Sequence, residues 1–455
     1  MQKVQGNLDL LATGRIARLL WDYSIPAVVG MLVMSLYNVI DRIFIGQGVG
    51  TEAIAGLAIT FPVSNVSAAL GVLIGAGASA RVSILLGEGN REGALLTLGN
   101  SLTLILLNAT IYISFFALFL DDILMAFGAS EASLPYAHDF MAYLLPGMLV
   151  MNVGFSFNNL MRASGYPRKA MNSMFIGAGV NLVLAPFFIF VLDMGIKGAA
   201  IATDIAMTTF TIYVMHHFVA GDSTLTFKRG TFGLRWRTVA GIIGIGAAPS
   251  LINLASSAIN VLINTSLYRY GGDNAVAAAG IFSTFTSLLC MAGVGICQGM
   301  QPIIGYNYGA GLFGRLRSTY LLATACATVI TSLGCIAGMT FPEAIARIFT
   351  VDAGLIRVTA DGLRRALPMF WIVGFQIIST SLFQSIGKVG KSIFLSLSRQ
   401  VIFLIPLLLL LPGKYGLDGV WLSFPVSDFL ATIATAACIV WQFRQFEAMQ
   451  KKQAV

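Results

Sequence analysis

Apolar residues fill most of this chain in stretches of roughly 20, the length a helix needs to cross about 30 Å of hydrocarbon. Twelve such stretches can be read, near residues 20–45, 55–80, 98–120, 136–161, 171–192, 197–218, 240–268, 276–301, 318–341, 362–385, 392–412 and 418–442. Lipid offers the backbone no hydrogen-bond partners, and the runs are too long and too uniformly apolar for barrel strands. Each is therefore predicted to be a membrane-spanning helix.

The pattern also repeats. Gly50 of GTEAIAGLAI recurs as Gly272 of GDNAVAAAGI, and Ala53, Ala55 and Ile59 are answered by Ala275, Ala277 and Ile281. At the same offset Pro146 meets Pro368, Gly165 meets Gly387 and Lys169 meets Lys391. One residue off that register, Pro26 meets Pro249, and LDMGIKGAA meets KYGLDGVW. Six stretches fall in each half, and an even number returns the chain to its starting side. The expected fold is an all-α membrane protein of two homologous six-helix bundles, related by a pseudo-twofold axis along the membrane normal. Residues 1–219 form the first lobe, 220–238 a polar cytoplasmic linker, and 239–455 the second lobe.

Composition agrees. The chain is 57% hydrophobic and 11% charged, with a mean hydropathy of +0.82, too little charge to cover a water-soluble surface. The net charge of +8 does not point to nucleic acid, because the cations cluster in alternate loops. Arg15 and Arg18, Arg81 and Arg91, Arg162, Arg168 and Lys169, Lys228 to Arg237, Arg315 and Arg317, Lys388 and Lys391, and the C-terminal lysines are all assigned to the side of the N-terminus. Asp121, Asp122, Glu131 and Glu343 are assigned to the other side. This is the positive-inside pattern, with both termini cytoplasmic in the cell inner (plasma) membrane.

The N-terminal segment is too polar for a cleaved signal, so the first span is expected to stay. Five cysteines lie in apolar runs without a CxxC and read as small packing residues. No GxxxxGK[ST] is present, and no nucleophile–base pair or metal-ligand spacing emerges around His138, His216 or His217. The chain reads as a transporter rather than an enzyme, without cofactor, working as a monomer in the lipid bilayer.

Three carboxylates fall well inside predicted spans: Asp41, Asp204 and Asp428. A charge near the bilayer centre costs at least about 2.5 kcal/mol, which makes such acids functional candidates. Asp41 sits in SLYNVIDRIF, with Tyr37 and Asn38 one turn earlier on its side of the helix, while Arg42 diverges by about 100°. That stripe suits a cavity in which the acid takes a proton or holds Na⁺. Its repeat partner is Asn264, which cannot titrate. Asp204 reads equally as a second cavity acid or a structural one, and Asp428 as structural.

Several separated motifs together resemble the multidrug and toxic compound extrusion (MATE) family. They are YNVIDRIFIGQGVG, NLVLAPFFIF, GAAIAT, GICQGMQPIIGYNYGA, LFQSIGK and GLDGVWLSFPVSD, and they look closest to the DinF branch with its MepA-like multidrug exporters. The resemblance implies two lobes around a V-shaped cavity that faces each side in turn, expelling small amphipathic, often cationic organic molecules in exchange for H⁺ or Na⁺. Carried over by motif, Asp41 would be the cation-coupling site with Asn181 and Thr203 as its neighbours, and Asp204 joins this group as a stand-in for a missing acid. Tyr37, Asn38, Asn158 and Met174 would bind substrate.

Two departures stand out. The fifth-helix NxxxDP pattern of the family reads Asn181 then Ala185-Pro186 here, with Asp204 positioned to stand in for the missing acid. Where the NorM branch places second-lobe acids, this chain has Ser257 and Phe375-Gln376. A lipid-linked oligosaccharide flippase is the alternative within the superfamily, and an acid in the first-lobe interior disfavours its anionic cargo. A non-transporting scaffold is the remaining alternative.

The charge pattern predicts a labelling result. Single cysteines at Gly50 and Gly272 should react with an impermeant thiol reagent added to intact cells, and cysteines at Gly89 and Lys388 should not. The reverse pattern would invert the topology.

Overall fold

A computed structural model describes residues 9–49, 51–131, 133–220 and 223–453, and helix is the regular structure throughout them. Gly50 lies outside the described residues, as does the side chain of Ser257. The first half supplies α1 (Ile16–Gly48), α2 (Thr51–Gly87), α3 (Arg91–Leu118), α4 (Leu134–Ala163), α5 (Pro167–Pro186) and α6 (Gly195–Val219). A π-helical turn, Phe187–Val191, extends α5 past Pro186.

In the second half, one helix runs 74 residues from Trp236 to Gly309. At 1.5 Å per residue it would extend about 110 Å, several bilayers deep. It divides at Gly272, whose φ of 65° and ψ of −164° are not helical, into α7 (236–271) and α8 (273–309). Then come α9 (Phe313–Thr340) and α10, a pair Ala353–Ala366 and Phe370–Ser385 bent by 59°. The stretch from Val389 divides likewise at Gly416, giving α11 (389–415) and α12 (417–453). The twelve expected spans are thus all present, although only nine to ten separate helices pass as spans among the described residues.

The repeat survives in backbone conformation. Gly89 and Gly311, Gly165 and Gly387, and Gly195 and Gly416 all take positive φ, and each pair stands at or within one residue of the repeat offset. Only glycine adopts this region without steric cost, so the duplication is retained at the turns that end helices. Elsewhere it has diverged. Pro146 sits inside a continuous α4, whereas its partner Pro368 marks the break of α10.

The lobes meet at one end. A methyl group on Gly87 would overlap the Tyr306 carbonyl oxygen, and one on Gly309 would overlap that of Ile84. Gly87 and Gly309 are repeat partners, as are Ile84 and Tyr306, so α2 and α8 cross symmetrically about the pseudo-twofold axis. The same symmetry governs the flanks. Gly77 packs on Ile242 of α7, and its partner Gly299 packs on Ser24 of α1. Between the lobes, Gln301 Nε2 donates to Ser79 Oγ at 3.1 Å.

Packing away from this end separates the lobes. The apolar cluster around Ile45, Tyr112, Phe140 and Ile189 draws only on the first half, and that around Ile259, Phe282, Leu363 and Trp421 only on the second. The two clusters at the crossing borrow across: Ile242 joins the first lobe, while Leu11, Leu19, Leu20 and Tyr23 join the second. Arg315 Nη2 also donates to the Gly14 carbonyl at 2.6 Å, tying the N-terminal segment to the second lobe. The lobes thus close on each other at the end that carries Arg81, Arg91, Arg315 and Lys388, and pack as separate clusters toward the other. That other end is not free of cations. Lys197 pairs with Asp139 at 3.2 Å, Arg364 with Glu343 at 3.7 Å, and Arg365 with Asp418.

Backbone contact this close leaves no room for side chains. Gly87→Val or Gly309→Val should prevent the crossing, so the distance between spin labels placed on the α2–α3 and α8–α9 loops should broaden and lengthen by several ångströms relative to the natural chain. An unchanged distance distribution in both variants would show that the seal does not depend on these glycines.

Candidate functional site

Tyr37 and Asp41 lie on consecutive turns of α1, about 40° apart around the axis. The face containing Leu36, Val39 and Ile43 is exposed to lipid, and Tyr37 turns inward, buried at 9% exposure. Its hydroxyl faces the Thr203 side chain of α6. Thr203 Oγ1 accepts from Asn181 Nδ2 of α5 at 3.2 Å and donates to the Ala199 carbonyl at 3.0 Å. Four of the sequence-predicted residues therefore meet where α1, α5 and α6 converge: Tyr37, Asn181 and Thr203 in contact, with Asp41 one turn further from the lobe crossing.

Asp41 makes no ion pair with Arg42. The Arg42 guanidinium instead lies 5.0 Å over the Phe61 ring of α2. The carboxylate Oδ1 of Asp41 is fully buried and has no hydrogen-bond partner among the described residues. A buried acceptor without a donor is costly and rare in native interiors. An oxygen in that position is ready to take a proton or a cation.

Asp204 goes elsewhere. Its neighbour Thr203 faces Asn181, and the next residue on a helix points about 100° away. The Asp204 carboxylate packs on Gly147 of α4, where an added methyl would overlap it, and its Oδ1 is also buried without a partner. The structure therefore does not bring Asp204 to Asn181 as a stand-in for the missing fifth-helix acid. Ala185, the position of that acid, is fully buried among apolar side chains that include Ile45 and Ile189.

The predicted substrate residues divide. Asn38 is exposed and donates to the Met34 carbonyl at 2.7 Å. Asn158 is fully buried, donates to the Ala170 carbonyl at 2.8 Å and to Ser173 Oγ at 2.9 Å, and accepts from Arg162. It ties α4 to α5. Met174 is likewise buried, with its sulfur seated against Gly30 of α1, so it serves helix packing.

Two polar groups escaped the sequence reading. Ser67 Oγ, Tyr112 Oη and Asn152 Nδ2 form a buried hydrogen-bonded triad between α2, α3 and α4. In the second lobe, Arg399 Nε donates to Asp428 Oδ1 at 2.6 Å. Arg399 was the available signal, a cation inside an apolar span, but attention to loop charges passes over it.

The chain was compared with known proteins. The family model MatE matches twice, over residues 26–187 and 249–410. An "FAD transporter" of Shewanella oneidensis is 26% identical over 436 residues, covering 93% of this chain and 94% of the relative. The "Multidrug export protein MepA" of Staphylococcus aureus strain N315 is 24% identical over 435 residues, with 94% of each chain covered. Among solved structures, "MATE multidrug transporter DinF-BH in complex with R6G" is 37% identical, with a TM-score of 0.87 and coverage of 94% of this chain and 96% of that one. The "Outward-facing conformation of a multidrug resistance MATE family transporter of the MOP superfamily" is 26% identical, with a TM-score of 0.90 and coverage of 97% and 98%. Two consecutive family matches, one on each six-helix lobe and together spanning most of the chain, make this protein a member of the MATE family of multi-pass membrane transporters.

Proposed function

We propose that this protein is a secondary active exporter of small amphipathic, often cationic organic molecules, driven by exchange with H⁺ or Na⁺ through Asp41. The observation that carries the reading is the buried, unpartnered Asp41 Oδ1 on a helix that both lobes share. The N-terminal half of α1 packs on the second lobe and its C-terminal half on the first. An ion bound at Asp41 therefore acts on an element that links the lobes. An ion biases a two-state equilibrium only by binding the states unequally, and burial of the acid in one of them supplies such a difference.

Tyr37, Asn181 and Thr203 hold the inward side of the site, and Asn38 presents an amide to the open cleft. Asp204, set against Gly147, is a secondary acid that tunes the α4–α6 contact. Relatives of the chain carry names with different cargoes, and an acid in the first lobe favours a cation. With the basic loops in the cytoplasm, both termini are cytoplasmic, the cleft opens outward, and the protein sits in the plasma membrane.

The central test is Asp41→Asn, which keeps size and hydrogen-bonding reach but removes the titratable charge. Gradient-driven efflux of a cationic dye such as rhodamine 6G from proteoliposomes should fall at least about tenfold, the effect of removing an ion's bias worth about 1.4 kcal/mol. Equilibrium dye binding to the same purified variant should fall less. Imposing ΔpH and ΔNa⁺ separately distinguishes the two coupling ions. Asp204→Asn should reduce driven efflux less than Asp41→Asn does. Near-normal driven efflux by Asp41→Asn would refute the mechanism.

A further inference from the structure

The second lobe contains its own cavity, about 410 Å³ in volume, enclosed by α7, α8, α10, α11 and α12. Its depths are buried (Phe282, Phe370, Asp428), and its mouth carries exposed Asn260, Ser283 and Ser287. The volume lies within the range of small-molecule sites. None of the residues assigned above to ion or substrate handling lies in it.

The cavity is bordered by two irregularities of the helical backbone. One is the π-helical segment Ser398–Leu404 in α11, which contributes Arg399, Gln400 and Leu404 to the wall. The other is the break of α10 at Pro368, next to Ala366 and Phe370. Such interruptions inside a membrane persist where backbone borders a cavity or another protein element, and π turns recur at functional sites.

The chemistry of the wall is asymmetric. Asp428 is almost fully enclosed, with 4% of its side chain exposed, and binds the Nε side of Arg399. Arg399 is the open member of the pair, at 27%. Its guanidinium also makes a side-chain hydrogen bond with Cys290, another residue of the cavity wall. Gln400 adds a buried Oε1 with no hydrogen-bond partner. The wall also carries an aromatic surface, Phe282 and Phe424 with ring centroids 5.2 Å apart, Phe424 lying one helical turn before Asp428. The repeat partners of Arg399 and Asp428 are Gly177 and, in the register set by Gly195 and Gly416, Met207, so the pair belongs to this lobe alone. An ionised pair within the membrane is expensive to keep.

A guanidinium held at Nε by a buried acid and partly exposed in a cavity presents a planar fork that matches an oxyanion. From this geometry we infer that the second-lobe cavity is a binding site for a planar aromatic organic anion, whose anionic group docks on the Nη side of Arg399 and whose ring stacks on Phe282 and Phe424. Asp428 does not touch the ligand; it positions the guanidinium. This site is separate from Asp41, so binding there is independent of whether Asp41 couples transport to an ion.

The test uses the full chain in nanodiscs and radiolabelled 2-naphthoate as the probe, with 2-naphthamide and 2-naphthylmethylammonium as its neutral and cationic counterparts. Equilibrium binding is read by scintillation proximity. The natural chain should bind 2-naphthoate at least about tenfold more tightly than either counterpart, as expected for a charge-assisted fork contact. Arg399→Gln combined with Asp428→Asn removes both charges without leaving one buried alone. It should erase that preference while binding 2-naphthamide as the natural chain does. Ser283→Trp, which fills the cavity from its mouth and leaves the ion pair intact, should weaken all three probes. Absence of 2-naphthoate binding, equal binding of the anion and the amide, or tighter binding of the ammonium would each overturn the assignment. So would an unchanged preference in a double variant that elutes as a single folded species.

Discussion

Two backbone crossings, Gly87 against Tyr306 and Gly309 against Ile84, hold the lobes together, and the arrangement of the molecule follows from them. Lipid tails are as apolar as leucine, so helices in a membrane associate through close packing and polar contact rather than hydrophobic burial. Glycine lets two backbones approach to atomic contact, and a crossing made by repeat-related residues is satisfied equally from both sides. The contact runs along α2 from Leu73, which meets Gly246, to Gly87. Beyond it, each lobe closes its own apolar cluster.

A seal of this kind is compatible with movement. The cross-lobe hydrogen bonds from Gln301 to Ser79 and to the Ala76 carbonyl are neutral contacts. Helix α1 stands differently from the others because its two halves belong to different lobes. Pro26 lies between those halves, where the missing amide hydrogen weakens the helix and permits bending. Asp41 sits beyond the proline on the half that follows the first lobe. The acid, the proline and the inter-lobe contact are thus carried by one continuous element, and under the proposed function that element would link ion occupancy to lobe orientation.

The two lobes share an origin but have divided their chemistry. The first holds an isolated acid near the cleft, together with neutral partners on α5 and α6. The second has Asn264 in place of that acid and carries instead a buried arginine–aspartate pair beside a broken helix and a π turn. Equivalent prolines behave differently as well: α4 absorbs Pro146 in a continuous helix, while α10 breaks at Pro368. Divergence of this sort shows that the local context of a proline, and not its presence, decides whether a helix continues.

The twelve spans, their grouping in two homologous sets and the candidacy of Asp41 were legible in the chain itself, because hydrocarbon thickness dictates length and lipid forbids an unpaired backbone. The repeated glycines marked the duplication in the chain, and the structure places several of them at positive φ, where other residues are disfavoured. Partner choice was not legible. A linear reading places Asp204 beside Thr203 but does not say that its carboxylate turns to Gly147, nor that the Asn158 amide is spent on Ala170 and Ser173. Arg399 and Asp428 stand 29 residues apart in the chain and became a pair only when α11 and α12 packed. Sequence determines which groups are available and how long each helix must be; direction of side chains across helix interfaces is set by rotation about each axis, and only the packed bundle decides that rotation.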